Sequence, residues 1–197
     1  MINLALKLYD LNKRRSISVN HSVMEILVAA HLLEEGYEDV DVESPLGGLV
    51  ADVVATKNGS KTIVEIETGF TPAEHSVDPV EYLRARIIGK AARYSAHSDK
   101  FVLAFPIYYL PPIPPALLKN PSERSVEEVK QLSDIINAYY KNPPLSIEDI
   151  MKARLDHIYI LHVDRGKVFE IDPKGFLELY TSGKNWFDTY GYIVTRL

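Results

Sequence analysis

The sequence predicts an α/β fold: a central mixed β-sheet flanked by helices, in the order α-β-β-β-α-β, with a helical insertion and a C-terminal β-hairpin. Three observations predict it. Short runs rich in β-branched residues are interleaved with longer amphipathic stretches, the pattern of strands alternating with helices. Asn58-Gly59 stands between two of those runs and is the strongest short signal for a hairpin turn. Lys100–Phe105 (KFVLAF) is a nearly unbroken apolar run that ends at a proline-rich loop, as a strand buried on both faces does.

The elements follow in order. After a basic start (Lys13, Arg14, Arg15), a helix is predicted over about residues 20–35, opened by Ser22 with Glu25 three positions on and stopped by Gly36. Residues 38–43 (EDVDVE) alternate and form a first strand, Leu49–Thr56 (LVADVVAT) a second, and Lys61–Thr68 (KTIVEIET) a third. Asp78-Pro79-Val80-Glu81 starts a second helix, with Asp as cap, Pro in the first turn and Glu at the third position, running to about Ser98. The segment YYLPPIPPALLKNP is too proline-rich to continue helix or strand. Ser125 opens a helix to about Lys141 and Ser146 a shorter one to about Leu155. His157–Val163 and Lys167–Ile171 form a hairpin, and one more strand is expected near Tyr192–Thr195. The reading is one domain over 1–197, its core at about 20–106 and 157–172 and its insertion at about 107–156.

Composition narrows the chemistry. At 197 residues the chain can bury a real core. It has no cysteine, which excludes disulfides, thiolate zinc sites and cysteine nucleophiles. No apolar run approaches the roughly 20 residues of a membrane span, and the first residues lack a signal-peptide layout, so a cytoplasmic protein with no membrane partner is expected. The net charge of −5 disfavours binding a polyanion through phosphates alone, although a local basic stripe remains compatible with it. There is no nucleophile elbow, phosphate-cradling glycine loop or dinucleotide fingerprint; Leu46-Gly47-Gly48 is a plain turn.

The informative feature is a row of carboxylates. A two-residue Asn58-Gly59 loop pairs Lys57 with Ser60 and, continuing inward, sets Asp52 opposite Glu65 and Val50 opposite Glu67. All three acids then point to one face, where opposed side chains have Cβ atoms about 4.5–5.5 Å apart and like charges repel. A divalent cation would relieve the repulsion, and so would a shared proton. A third reading puts the acids on a solvated outer face together with Val50, Val54 and Ile63.

An acidic residue on the first helix, an Asp on the second strand and Glu-x-Glu on the third resemble the PD-(D/E)XK nuclease superfamily, whose restriction-endonuclease-like core has the same α-β-β-β-α-β order. The resemblance covers roughly residues 20–106. Asp52 takes the Asp position, Glu65 that of the metal-binding acid, and Glu67 the place where most members carry lysine. Lys90 and Tyr94, four apart on one helix face, are similar to the Gln-xxx-Tyr feature of the RecB-like branch. The resemblance implies a metal-dependent DNA endo- or exonuclease, a Mg²⁺- or Mn²⁺-dependent phosphodiesterase. Asp52, Glu65, the Ile66 carbonyl and Glu25 would hold the ion, and Glu67 or Lys90 would position the attacking water. The absent Glu-x-Lys lysine leaves an alternative, a catalytically inactive nucleic-acid-binding or assembly module. A carboxylate hydrolase of another small substrate is a third.

Glu25 lies in VMEILVAAHLL, apolar on nearly every side, and either completes a capping box with Ser22 or stands over the carboxylates. Arg86, Lys90, Arg93 and His97 share a helix face, with Arg84 to one side, and form either a phosphate-contacting ridge or a solvated surface. With DNA as the partner, Arg86, Arg93 and Tyr94 are the contacts to the backbone; a homodimer stays open. The six histidines show no zinc-ligand spacing; His157 and His162, five apart on a strand, read as structural, and His75, in a loop near a strand end, is a candidate. Tyr108 and Tyr109 pack a loop or stack on bases.

Overall fold

The computed structural model describes residues 1–14, 16–141 and 144–181; the strand expected near Tyr192–Thr195 lies outside them. Helix α1 (Ile2–Lys13), which sequence patterning does not single out, precedes α2 (Val19–Glu34). Three antiparallel strands follow, β1 (Glu38–Leu46), β2 (Leu49–Lys57) and β3 (Ser60–Ile66). Asn58 and Gly59 both have positive φ, +54° and +77°, as a two-residue primed turn requires. Helix α3 (Pro79–Tyr94) crosses over to β4 (Lys100–Pro106), which runs parallel to β3. The insertion carries α4 (Val126–Tyr139) and α5 (Ile147–Lys152), after which β5 (His157–His162) pairs parallel to β4. β6 (Lys167–Ile171) turns back antiparallel, and α6 (Pro173–Thr181) follows it. The six strands lie in sequence order in one mixed sheet, the α/β architecture expected. No helix among the described residues is long and apolar enough to cross a membrane.

Each face of the sheet has its own core. Leu8 of α1 and Met24, Val28 and Leu32 of α2 pack on Val42, Val53, Val64, Val102 and Leu161. On the other face, Ile87 and Ala91 of α3 and Phe176 of α6 cover Ile63, Phe101, Leu103, Phe105 and Ile160. α4 and α5 pack on the back of α3, through Ala85 and Ile88 against Leu132, Ile136 and Ile150. α3 is therefore buried on two sides, while Val80 in its first turn is exposed. The insertion is anchored by the Arg124 guanidinium, which donates to the carbonyls of Ala116, Leu117, Lys119 and Ile150. That satisfies a buried charge with main-chain dipoles.

Two caps differ from expectation. α2 starts earlier than predicted: Ser18 is its N-cap and accepts from the His21 N–H, while Ser22 sits inside the helix. Glu25 is thus excluded as the partner of a Ser22 capping box. Asp78 precedes α3 without a side-chain cap, because its carboxylate accepts the Tyr139 hydroxyl. Ser125 and Ser146 open α4 and α5 as expected, each through a capping box.

Candidate metal centre at a forked hairpin

Pairing between β2 and β3 runs in the register set by the turn, from Lys57–Ser60 to Val53–Val64. There the strands fork, and the next two residues replace ladder bonds with side chains. The Asp52 N–H donates to Glu65 Oε1 at 3.1 Å, and the Ile66 N–H donates to Asp52 Oδ2 at 2.6 Å. Each carboxylate is thereby fixed by the opposite strand's backbone. Because the pairing ends there, Val50 does not oppose Glu67: the Val50 carbonyl accepts the Tyr94 hydroxyl at 2.8 Å, and the Glu67 N–H donates to Ala104 of β4. Glu65 and Glu67 are 2% and 0% exposed and Ile63 is buried with them, so α3 covers this face and the solvated-face reading fails.

Lys90 reaches into the fork from α3. Its Nζ lies 2.7 Å from the Ile66 carbonyl oxygen, 3.1 Å from Glu65 Oε2 and 3.3 Å from Asp52 Oδ2. These oxygens belong to three of the four residues that the resemblance assigns to a metal ion, and an ammonium stands among them. Burial alone would lower Lys90, but Asp52, Glu65 and Glu67 raise it above its ordinary value, so it is a fixed cation. Burial would likewise raise Asp52, yet Lys90, His21 and the Ile66 amide hold it well below the usual carboxylate range. Glu65, more buried and beside ionised Asp52, is pushed up to about 7.

The other oxygen of Asp52 faces a second cluster. His21 Nε2 lies 3.2 Å from Asp52 Oδ1 and 3.6 Å from Glu25 Oε1. Val42 pairs with Val53 and Ser44 with Ala51, which sets Glu43 across from Asp52. Glu43 has a φ of +46°, a strained conformation for a residue with a Cβ. One donor atom each from His21, Glu25, Glu43 and Asp52 lies within 4.8 Å of the others. Glu25 is fully buried, and neither of its carboxylate oxygens has a hydrogen-bond partner. Burial, together with Glu43 and Asp52, pushes its pKa far up.

Such a group calls for a proton or a cation. Three carboxylates and one imidazole are a donor set that suits a hard or borderline divalent ion. Of the four residues predicted to hold metal, two (Glu25 and Asp52) lie in this cluster; Glu65 and the Ile66 carbonyl face Lys90 instead. Sequence reasoning missed two members. Glu43 was open to the same hairpin arithmetic applied around Gly47-Gly48. His21, one of six histidines without zinc-ligand spacing, stands four residues before Glu25 and so on its face of α2.

The remaining candidates line the rim. Glu67 is engaged away from both clusters: Oε2 accepts from Arg86 Nε at 3.1 Å and Oε1 from the Gly69 N–H at 3.1 Å. It therefore holds Arg86 and the turn after β3 in place, and does not face the fork. Arg93 lies over the Tyr140 ring, 5.3 Å from its centroid, and Arg86 over Tyr82 at 5.9 Å. Arg86, Lys90, Arg93, Tyr94 and Tyr140 line a polar cavity of about 180 Å³ beside Glu65. His75 belongs to none of this: it stacks on Tyr82 and meets the Tyr139 ring edge-on.

No family model and no curated protein matches the chain. Among solved structures it is similar to the fdxN element excision controlling factor protein from Anabaena variabilis, at 14% identity and a TM-score of 0.35, covering 75% of this chain and 95% of that one. An XisH family protein from Nostoc punctiforme matches at 14% identity and 0.35, covering 75% and 96%. Pyrococcus furiosus SfsA, solved in complex with Ca²⁺, matches at 13% identity and 0.32, covering 75% and 58%. The chemistry of the site rests on its own geometry.

Proposed function

We propose that this protein is a metal-dependent phosphodiesterase of the PD-(D/E)XK type that hydrolyses DNA. The observation that carries the reading is the forked hairpin. Asp52 and Glu65 are inserted between the strands with a lysine ammonium bridging them, and that lysine comes from α3 at position 90 rather than from the Glu-x-Lys strand. His21, Glu25, Glu43 and Asp52 would hold the ion. When bound, a divalent cation supplies charge to polarise a phosphate and to acidify a coordinated water. Lys90 keeps Asp52 ionised and aimed, and would supply positive charge toward the phosphoryl oxygens on which negative charge develops. Arg86, held by Glu67, and Arg93, stacked on Tyr140, flank the fork at positions suited to the DNA backbone.

One observation favours a second reading, the inactive binding or assembly module: Lys90 already neutralises the oxygens that the resemblance gives to metal. One experiment separates the two. Purified protein is given Mg²⁺ or Mn²⁺ and single-stranded, duplex or branched DNA, and Mn²⁺ binding is followed by calorimetry. Asp52→Asn should lower cleavage and Mn²⁺ affinity by more than the roughly 100-fold that loss of an outer partner costs. No cleavage of any DNA, with Mn²⁺ binding unchanged in Asp52→Asn, overturns the proposal; cleavage absent but binding lost supports the module.

A further inference from the structure

We propose that the cleft beside the fork binds single-stranded DNA by stacking bases on Phe70 and Tyr108. The inference rests on the phosphodiesterase reading and adds the form of the substrate. The cleft, about 580 Å³, has His21, Glu43 and Arg86 along its polar side, so it opens onto the second carboxylate cluster. Phe70 and Tyr108 also line it, and they are 66% and 73% exposed. An aromatic ring left in water forgoes about 1.5–3 kcal/mol of burial.

The backbone that presents these rings is fixed. Gly69 has a φ of +76°, and the Tyr109 ring lies so close that a Cβ there would sit 2.6 Å from it. The Gly69 N–H is held by Glu67 and the Tyr109 N–H by the Pro106 carbonyl at 2.9 Å. One residue of each pair is thus locked against the other, while its neighbour, Phe70 or Tyr108, projects into the cleft. Rings on a fixed backbone stack with little ordering cost.

The occupant follows from chemistry. Stacking on aromatic side chains is worth enough per base to hold a strand and needs no particular sequence. A duplex keeps its bases stacked internally and offers chiefly phosphates, which a chain of net charge −5 attracts poorly. A single strand offers π faces to the rings and one phosphate at a time to Arg86. Ile17 and Met24 line the cleft too, so a protein contact is one outcome of the test below.

The test is fluorescence anisotropy of the full chain, with Ca²⁺ present, on a labelled thymidine oligonucleotide of about 12 residues, within the range one site occupies, and on a hairpin duplex of equal length. Wild type should bind the single strand at least about tenfold more tightly. The double variant Phe70→Ala/Tyr108→Ala should lose about tenfold or more on the single strand, with its dependence on salt unchanged and duplex binding unaltered. Both rings are exposed, so the variant's thermal midpoint should match wild type. Equal affinity for the two forms, or a double variant that binds the single strand as wild type does, overturns the stacking proposal even if duplex DNA is cut. Changed self-association in place of changed DNA affinity assigns the rings to a protein contact and overturns it too. Failure of wild type to bind or cut any DNA removes the phosphodiesterase reading itself.

Discussion

The two sides of Asp52 present the same kind of ligand and solve it oppositely. Toward α3, Oδ2 shares with Glu65 and the Ile66 carbonyl a cation that the protein provides, and every polar atom is paired. Toward α2, Oδ1 meets Glu25 and Glu43 with only His21 between them, and the Glu25 oxygens have no hydrogen-bond partner. The difference locates the group that calls for a proton or a cation, Glu25. A buried carboxylate with a lysine on it is complete; one facing two more carboxylates is not. The repulsion foreseen at Asp52 and Glu65 exists, but Lys90 relieves it there, and the unrelieved part lies one strand away, at Glu43.

The largest test of this contrast sets two variants of opposite sign side by side. Lys90→Met leaves Asp52 and Glu65 facing each other without a cation and should destabilise the protein by about 3 kcal/mol, with or without metal. Glu25→Gln removes a buried acid that must hold a proton at neutral pH, and should stabilise the metal-free protein by about 1–3 kcal/mol. The same change should abolish the rise in thermal midpoint that Mn²⁺ gives wild type. Urea unfolding in chelator and in Mn²⁺ reads both; destabilisation by Glu25→Gln in chelator would show that the α2 side is not strained.

Acidity sharpens the contrast at smaller amplitude. Glu65 is raised from the ordinary carboxylate range to about 7, and Glu25 is raised as well. A carboxyl raised on folding binds its proton more tightly in the native state. Its contribution is complete below the unfolded pKa and is lost as pH rises through the folded value. Metal-free protein should therefore become less stable as pH climbs from about 4.5 to about 7. Asp52, shifted the other way, loses its contribution only below that window. Saturating Mn²⁺ should remove the part of the slope that comes from Glu25, because a ligand to a cation no longer needs the proton, and leave the part from Glu65, which faces Lys90. A thermal midpoint that rises with pH across the window in chelator would contradict the reading.

How much of this was legible follows from which contacts are local. The Asn58-Gly59 turn fixes register by covalent geometry, so the nearness of Asp52 and Glu65 could be read from the chain, and the helix starts at Ser125 and Ser146 likewise. Lys90 was placed as the missing cation from helical spacing and a resemblance, and its Nζ lies in the fork. What was not legible depends on elements meeting at a distance. The fork is one such case, since it replaces ladder bonds with side chains and shifts Glu67 away. α1 is another: it carries a single buried residue, Leu8, so its pattern is weak. The engagement of His21 needed the angle at which α2 crosses the sheet face, which nothing local encodes.

Glu67 gives the finest discrimination, because the resemblance places it where a lysine is expected and the structure turns it toward the rim. Its two oxygens serve the Arg86 guanidinium and the Gly69 amide, and it is fully buried. Glu67→Gln keeps an acceptor for one of these partners but removes the charge opposite Arg86, so the cost is that of a charged hydrogen bond, about 1.5–3 kcal/mol. If Glu67 acts only by holding Arg86 and the turn, Mn²⁺ affinity should stay within about threefold of wild type, while DNA affinity falls as Arg86 loosens. If it ligates a second ion, Mn²⁺ stoichiometry in a calorimetric titration should fall by one equivalent. Loss of that equivalent would break the contrast between the two sides of Asp52, since a third carboxylate would then join the α3 face to a metal and leave Lys90 as one cation among several.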